Sequence, residues 1–280
     1  MKRKIKIYLI LLLALTAIST AFRAFAVLYC YDSDVGLFRS EPLVAISSSL
    51  LIAGVLYSLV ALPLFYREDL FCGKDRVATS KTWSILCVIA AACCFFAGIS
   101  LITKRTDALS VATGICALFS AMHFLLAATA DKTKSANRSE QLLPWLKITF
   151  LAALALLAVS FYIDMTIPTG SPFKEPLILA ALFGGLFVIS EARFDLQSTA
   201  SVSHLITGAI TFFLCCNIGI SHLIYCVTLS PDAPSSALSD YTSPLLILAL
   251  ATAAAARLIR FTEDPVDTPP ENSDPEDKIQ

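Results

Sequence analysis

The chain has 280 residues, of which 56% are hydrophobic and 15% are charged, and its mean hydropathy is +0.73. Soluble domains carry about 25% charged residues, so this composition excludes an ordinary soluble domain and predicts a membrane protein. The net charge of −1 creates no global field for nucleic acid, which is therefore not a predicted partner.

Eight apolar blocks predict eight transmembrane helices, because a hydrocarbon core about 30 Å thick needs about 20 apolar residues. Four blocks begin at a proline, which suits a first helical turn. The blocks run approximately over residues 5–28, 42–65, 82–103, 108–130, 144–163, 176–195, 201–228 and 244–261. The predicted fold is an all-α polytopic transmembrane helix bundle over residues 1–262. The acidic, proline-rich tail over 263–280 is expected to be disordered.

The distribution of basic residues predicts that both termini are cytoplasmic, because Lys and Arg stay on the cytoplasmic side during insertion. Sixteen of the 21 Lys and Arg residues fall on the side that holds the termini. The other five lie on the opposite side, which we predict to be external: Arg23, Arg39, Lys104, Arg105 and Lys174. The chain is therefore predicted to be a multi-pass protein of the cell (cytoplasmic) membrane.

The N-terminus admits a second topology. The basic start "MKRKIK", the apolar run after it and "AFA" at residues 24–26 have the order of a secretory signal with a cleavage site. Cleavage after Ala26 would leave seven spans and an external N-terminus. Against this, Arg23 lies just before the cut, and the apolar run is long for a signal peptide.

The segment "VISEARFDLQ" places three charges near the end of the sixth span. The apolar part of that span covers only about 20 Å, so we expect the span to continue to about Asp195. Glu191 and Asp195 are four residues apart and share a helix face, whereas Arg193 points away. Arg257 of the eighth span is the predicted cation for Glu191. The candidate inner-leaflet cluster comprises Glu191, Asp195, Arg257, Arg260, His123 and His204. The alternative is that these charges only anchor helix ends among headgroups.

Three further polar residues are predicted near the external face: Arg23, Asp164 and His222. The long stem of Arg23 is expected to let its charge snorkel to the interface. Cys30 and Cys226 are the two cysteines expected near this face, so a disulfide between them is one possible pairing. The other cysteines lack the CxxC or Cys/His spacing of metal and redox sites, and no metal is predicted.

No enzyme is predicted, because the chain contains no paired-aspartate, HExxH, GxSxG or P-loop pattern and no cofactor motif. The favoured function is a non-enzymatic integral membrane protein in a sensor, assembly or envelope-associated role. The alternative is a small-solute transporter with a polar site in the inner half of the bundle. Similarity between "CCFFAGISLI" from Cys93 and "CCNIGISHLI" from Cys215 would fit a duplicated four-helix unit. The bilayer is the predicted partner, and a protein, a small solute or a second copy of the chain all stay open.

A combination of short motifs carries a resemblance. Asp164 ends the fifth span, a proline-rich turn follows, an E-x-R-F sequence ends the sixth span, and "YDSDVGLF" follows the first. In these features the chain resembles multi-span integral membrane proteins of Gram-positive bacteria to which no activity is assigned. The resemblance implies a multi-pass bacterial membrane protein and assigns no role to any residue.

Overall fold

The computed structural model describes residues 2–32, 35–39, 41–65, 81–104, 107–129, 136–168, 170–197, 202–228 and 241–260. Within these ranges the chain forms eight long helices. The helices are α1 (Lys2–Cys30), α2 (Pro42–Phe65), α3 (Lys81–Lys104), α4 (Ala108–Thr129), α5 (Ala136–Ile163), α6 (Lys174–Gln197), α7 (Val202–Thr228) and α8 (Thr242–Arg260). All eight are long and apolar enough to cross a membrane, which confirms the predicted all-α, eight-span fold.

Most predicted boundaries lie within a few residues of the observed ones, and the start of the fifth helix is the exception. The sequence predicts that this helix begins at Pro144, but α5 begins at Ala136 and Pro144 lies in its ninth position. A proline lacks an N–H and restricts the preceding residue, so it indicates a first turn without requiring one. The apolar part of α5 that could cross a membrane begins at Trp145, directly after the proline.

The helices alternate in direction, so the bundle has two ends. The termini side holds the start of α1 and the end of α8, and the far side holds the opposite helix ends. Helix α7 is the most central element, because it packs against α1, α2, α6 and α8. Helix α8 also packs against α3, and α4 packs between α3 and α5. Large apolar side chains such as Ile10, Phe96 and Leu182 are exposed on the outside, as expected of a surface that faces lipid.

A short hairpin joins α1 to α2 on the far side. Strands β1 (Tyr31–Asp32) and β2 (Leu37–Phe38) pair antiparallel, with Tyr31 opposite Phe38. Gly36 closes the turn at a φ of 73°, a conformation that favours glycine, and its N–H donates to the Asp32 carbonyl. The hairpin brings Tyr31 back over the end of the bundle.

Helix α1 is continuous across the possible cleavage site. Ala26 and Val27 lie within the helix and are fully buried, and α1 packs against α2 and α7. Cys30 and Cys226 are separate thiols, so the suggested disulfide is absent from this structure. The Cys30 thiol instead donates to the carboxylate of Glu41, at 3.1 Å. The tail over 263–280 lies outside the described residues.

Glycines allow three helix pairs to approach closely. A Cβ on Gly98 of α3 would lie 2.9 Å from the backbone oxygen of Gly114 in α4, and the reverse distance is also 2.9 Å. Gly184 of α6 faces the Leu250 side chain of α8, and its lack of a side chain lets these two helices approach. Gly54 of α2 leaves space for the Phe213 ring of α7.

We therefore expect Gly98→Ala to lower the thermal stability of the purified protein. The new methyl group would overlap backbone atoms of α4, and overpacking of this kind costs about 1–3 kcal/mol. Gly208→Ala is the matched control, because its added Cβ would make only ordinary contacts, the nearest at 3.4 Å to Phe187. Equal unfolding temperatures for the two variants in the same detergent would contradict the close approach of α3 and α4.

Candidate functional site

The most concentrated set of charges in the described residues surrounds the carboxylate of Glu191 on α6. Arg257 of α8 donates to both carboxylate oxygens, through Nε to Oε1 and through Nη2 to Oε2. Glu191 and Arg257 are 7% and 5% exposed, so this bidentate ion pair is inside the bundle. The structure thus pairs Glu191 with Arg257, the cation predicted from the sequence.

Two more helices contribute to the same carboxylate. Lys147 Nζ of α5 lies 3.4 Å from Glu191 Oε2 and the same distance from the Glu191 main-chain oxygen. His204 Nε2 of α7 lies 3.0 Å from Oε1. One carboxylate therefore connects α5, α6, α7 and α8. We refer to Glu191, Lys147, His204 and Arg257 as the Glu191 cluster.

Both ring nitrogens of His204 have polar neighbours. His204 Nδ1 lies 2.9 Å from Ser190 Oγ, and the Ser190 hydroxyl donates to the Phe187 carbonyl at 2.7 Å. Nε2 is directed at the Glu191 carboxylate, so the imidazole connects Ser190 to Glu191.

Aromatic rings enclose the cationic side of the cluster. The Arg257 guanidinium carbon lies 5.1 Å from the Trp83 ring of α3 and 4.9 Å from the Phe194 ring of α6. The His204 ring stacks on Phe194, with centroids 5.7 Å apart. These rings exclude water and attract the cation through their faces, which strengthens the ion pair.

The other predicted inner-leaflet residues divide into two groups. His123 of α4 is buried and interacts electrostatically with Lys147, Glu191 and Arg257. Its Nδ1 has no hydrogen-bond partner among the described residues. Arg193 is exposed, as its helix phase predicts. The side chains of Asp195 and Arg260 lie outside the described part of the structure, so their predicted place in the cluster stays a prediction.

Lys147 is the member of the cluster that sequence reasoning missed. In the sequence it lies just inside the predicted fifth span, 144–163, and is counted with the basic residues that set the orientation. In the structure Lys147 is 7% exposed and lies in α5, three residues after Pro144. The sequence does indicate a partner for Lys147, because a lysine three residues into an apolar span is energetically costly unless it is paired.

The predicted far-side residues lie near that end but are not assembled into one cluster. Asp164 follows α5, and its carboxylate accepts hydrogen bonds from the N–H and hydroxyl of Thr166. His222 is fully buried, with its ring stacked on Phe173 at 5.0 Å. The expectation that Arg23 snorkels is wrong: Arg23 is 5% exposed, and its Nη2 donates to the Pro172 carbonyl inside the protein.

Aromatic packing fixes the hairpin and the α5–α6 connector to α7. Tyr31 contacts Phe173 and Tyr225 with ring centroids 5.4 and 5.2 Å apart. Burial raises the pKa of the Tyr31 hydroxyl, which therefore stays protonated at neutral pH. Lys174 Nζ donates to the carbonyls of Asp164 and Ile167 and so holds the connector in place.

The Glu191 cluster has the chemistry of an interhelical ion pair network. Within the described residues, no group of three His, Cys, Asp or Glu side chains is placed to hold a metal ion. Comparisons with protein-family models, curated proteins and solved structures find no match to this chain. The geometry of the site is therefore the basis for proposing a function.

We expect Glu191→Gln to destabilise the protein more than Arg257→Gln. The first change removes the carboxylate from three partners, whereas the second leaves it with Lys147 and His204. Removing one member of a buried pair costs about 3–5 kcal/mol. The double variant should lose less than the sum of the two by about 1 kcal/mol or more, as measured by denaturant unfolding. Additive losses would show that the two side chains do not interact.

Exchanging the two charges tests the role of Lys147. In the variant Glu191→Arg with Arg257→Glu, the arginine at position 191 would lie beside Lys147 and repel its ammonium group. We expect at most partial recovery of the stability lost in the single reversals. Adding Lys147→Gln should improve the recovery, and no improvement would place Lys147 away from position 191.

Proposed function

We propose that the chain is a non-enzymatic integral membrane protein in which the Glu191 cluster acts as a conformational latch on the termini side. The observation that supports this proposal is the sharing of one carboxylate by α5, α7 and α8. Because all three contacts meet at Glu191, a single event at that carboxylate would release three helices together. Such a device suits a sensor or an assembly factor, whose output is a change of conformation.

The close pairing of the carboxylate favours a latch over an open substrate site. Arg257 occupies both oxygens of Glu191, so a substrate would have to displace an existing ion pair. The latch also lies close to a membrane boundary. His204 is the third residue of α7, and Arg257 is the fourth residue from the end of α8. Cytoplasmic or headgroup signals could therefore act on it.

The two tryptophans of the chain provide a test. Trp83 lies over Arg257, whereas Trp145 is 70% exposed. In protein labelled with fluorotryptophan and reconstituted in nanodiscs, we expect one dominant fluorine resonance from Trp83. Glu191→Gln should shift this resonance or split it into two, because Arg257 loses its anchor. The fluorine spectrum of Trp145→Phe shows which resonance belongs to Trp83.

Glu175→Gln is the matched control for this measurement, because Glu175 is exposed at the other end of the same helix. It should leave both resonances unchanged. A folded Glu191→Gln protein with the wild-type Trp83 resonance would refute the latch.

Small-solute transport is the second candidate function, and the fully buried polar residues Ser19 and Asn217 deep in the bundle favour it. Uptake into liposomes containing the purified chain, measured over a panel of ions and small metabolites, separates the two functions. Accumulation above that of protein-free liposomes would favour transport. The latch alone predicts none.

We propose further that both termini are cytoplasmic in a bacterial cell membrane. The support is the ratio of sixteen to five basic residues and the resemblance to multi-span proteins of Gram-positive bacteria. A green fluorescent protein fused after residue 280 should fluoresce, and alkaline phosphatase fused there should be inactive. Activity of the phosphatase fusion would reverse the orientation.

A further inference from the structure

A groove between α1 and α7 opens on the outside of the bundle. The two helices pack against each other, and the groove beside their contact has a volume of about 420 Å³. It extends from Leu13 to Ala24 along α1 and from Phe212 to Ile224 along α7. We refer to this space as the α1–α7 groove. Ligand pockets have volumes of about 300–1,000 Å³, so the groove is large enough to hold a ligand.

Small side chains on one helix and large ones on the other create the groove. Ala17 and Ala21 lie one turn apart on the same face of α1, and both are exposed. Ile220 and Ile224 have the same spacing on α7 and line the groove with them. Because the alanines do not fill the space beside the isoleucines, a recess remains although the two helices are in contact.

The lining of the groove is apolar. None of the described residues that line it is charged. The Thr16 hydroxyl already donates to the Leu12 carbonyl at 2.7 Å, and Thr20 Oγ1 is inaccessible to solvent. Cys216 lines the groove as well, and a free cysteine behaves as a small apolar residue. A ligand of this groove would therefore contact it through hydrocarbon.

The depth of the groove places it in the hydrocarbon core. Its upper end, at Ala24 and Ile224, lies six and four residues before the far-side helix ends, or about 6–9 Å. From there it continues for eleven residues of α1 and twelve of α7, or about 16–18 Å. In a core about 30 Å thick, it thus begins just below the far-side boundary and passes the middle.

The width of the groove distinguishes a hydrocarbon chain from a helix. Its whole empty space, with the open side included, is about 750 Å³. Over the length of the groove this corresponds to a mean cross-section of about 45 Å². An α-helix with its side chains is about 10 Å wide, which requires about 80 Å². A transmembrane helix of a second copy or of another protein is therefore too wide to enter, whereas a single extended acyl chain is narrow enough.

We propose that the α1–α7 groove binds one acyl chain of a phospholipid from the far-side leaflet. The headgroup would lie at the far-side boundary, and the chain would descend past Ala24 toward Leu13. Other lipids cover apolar surfaces equally well, so shape and close packing would retain this chain rather than hydrophobicity alone. The groove does not include any residue of the Glu191 cluster, and the proposal does not depend on the latch.

Photolabelling of the full chain in phosphatidylcholine nanodiscs tests the site. The probes are two phosphatidylcholines, one with a diazirine at the end of an acyl chain and one with a diazirine close to the headgroup. The chain-end probe should label residues 13–17 and 212–216, and the other probe should label near Ala24 and Ile224. Both should label the groove more strongly than the exposed face of α2. Equal labelling of α2 would indicate ordinary lipid contact and overturn the proposal, and the reverse order would overturn the assignment to the far-side leaflet.

A variant that fills the groove provides the second test. Ala21→Phe should remove the excess labelling by both probes. Ala53→Phe of α2 is the matched control, because Ala53 is also exposed and both residues lie about 14–16 Å from the far-side helix ends. It should keep the labelling of the groove. Excess labelling that persists in Ala21→Phe would refute the site.

Ala17→Leu decides the question if Ala21→Phe fails to fold. This smaller change fills only the deeper half of the groove. Labelling by the chain-end probe should be lost, and labelling by the probe close to the headgroup should remain. Unchanged labelling by the chain-end probe would contradict an acyl chain that reaches Ala17.

Native mass spectrometry of the protein released from the nanodiscs identifies the occupant. We expect one retained phospholipid on the wild type and on Ala53→Phe, and none on Ala21→Phe. A dimer of the chain without retained lipid would assign the groove to a second copy and overturn the proposal.

Discussion

The constraint on which the termini side of this bundle depends is the neutralisation of one buried carboxylate. An ionised Glu191 could not remain among apolar helices without nearby cations. Arg257 and Lys147 supply them from two other helices, His204 of a third helix contacts the same carboxylate, and Trp83 and Phe194 cover the Arg257 guanidinium. The charge that is costly to bury thus specifies how α5, α6, α7 and α8 meet. Apolar packing alone would fix that arrangement less precisely, because lipid competes equally for apolar surfaces.

Buried charged side chains have different partners at the two ends of the bundle. On the termini side, acid and base meet directly. On the far side, Lys174 and Arg23 donate to main-chain carbonyls, and these bonds hold the α5–α6 connector against α1. Carbonyls satisfy hydrogen bonds but carry no full charge. This difference explains why a latch is proposed at the termini side, where the buried charges pair directly.

Most of the fold could be predicted from the sequence, because span length and hydrophobicity are local properties. The pairing of Glu191 with Arg257 was also predictable, since both lie one turn inside their spans and small residues let α6 and α8 approach. Lys147 was missed because it was counted with the basic residues that flank the fifth span, and a charge three residues from a predicted span end is typical of an anchor in the headgroups. The hairpin and the inward turn of Arg23 depend on tertiary contacts with Tyr225 and Pro172, which local patterns do not encode.

Amide hydrogen exchange measures most directly whether one carboxylate holds four helices together. In Glu191→Gln, exchange should accelerate at the termini-side ends of α5, α6, α7 and α8 simultaneously and stay unchanged in α1 and α2. The control Glu175→Gln should exchange like the wild type. Acceleration confined to α6, or spread uniformly over the chain, would contradict the central role of the Glu191 carboxylate.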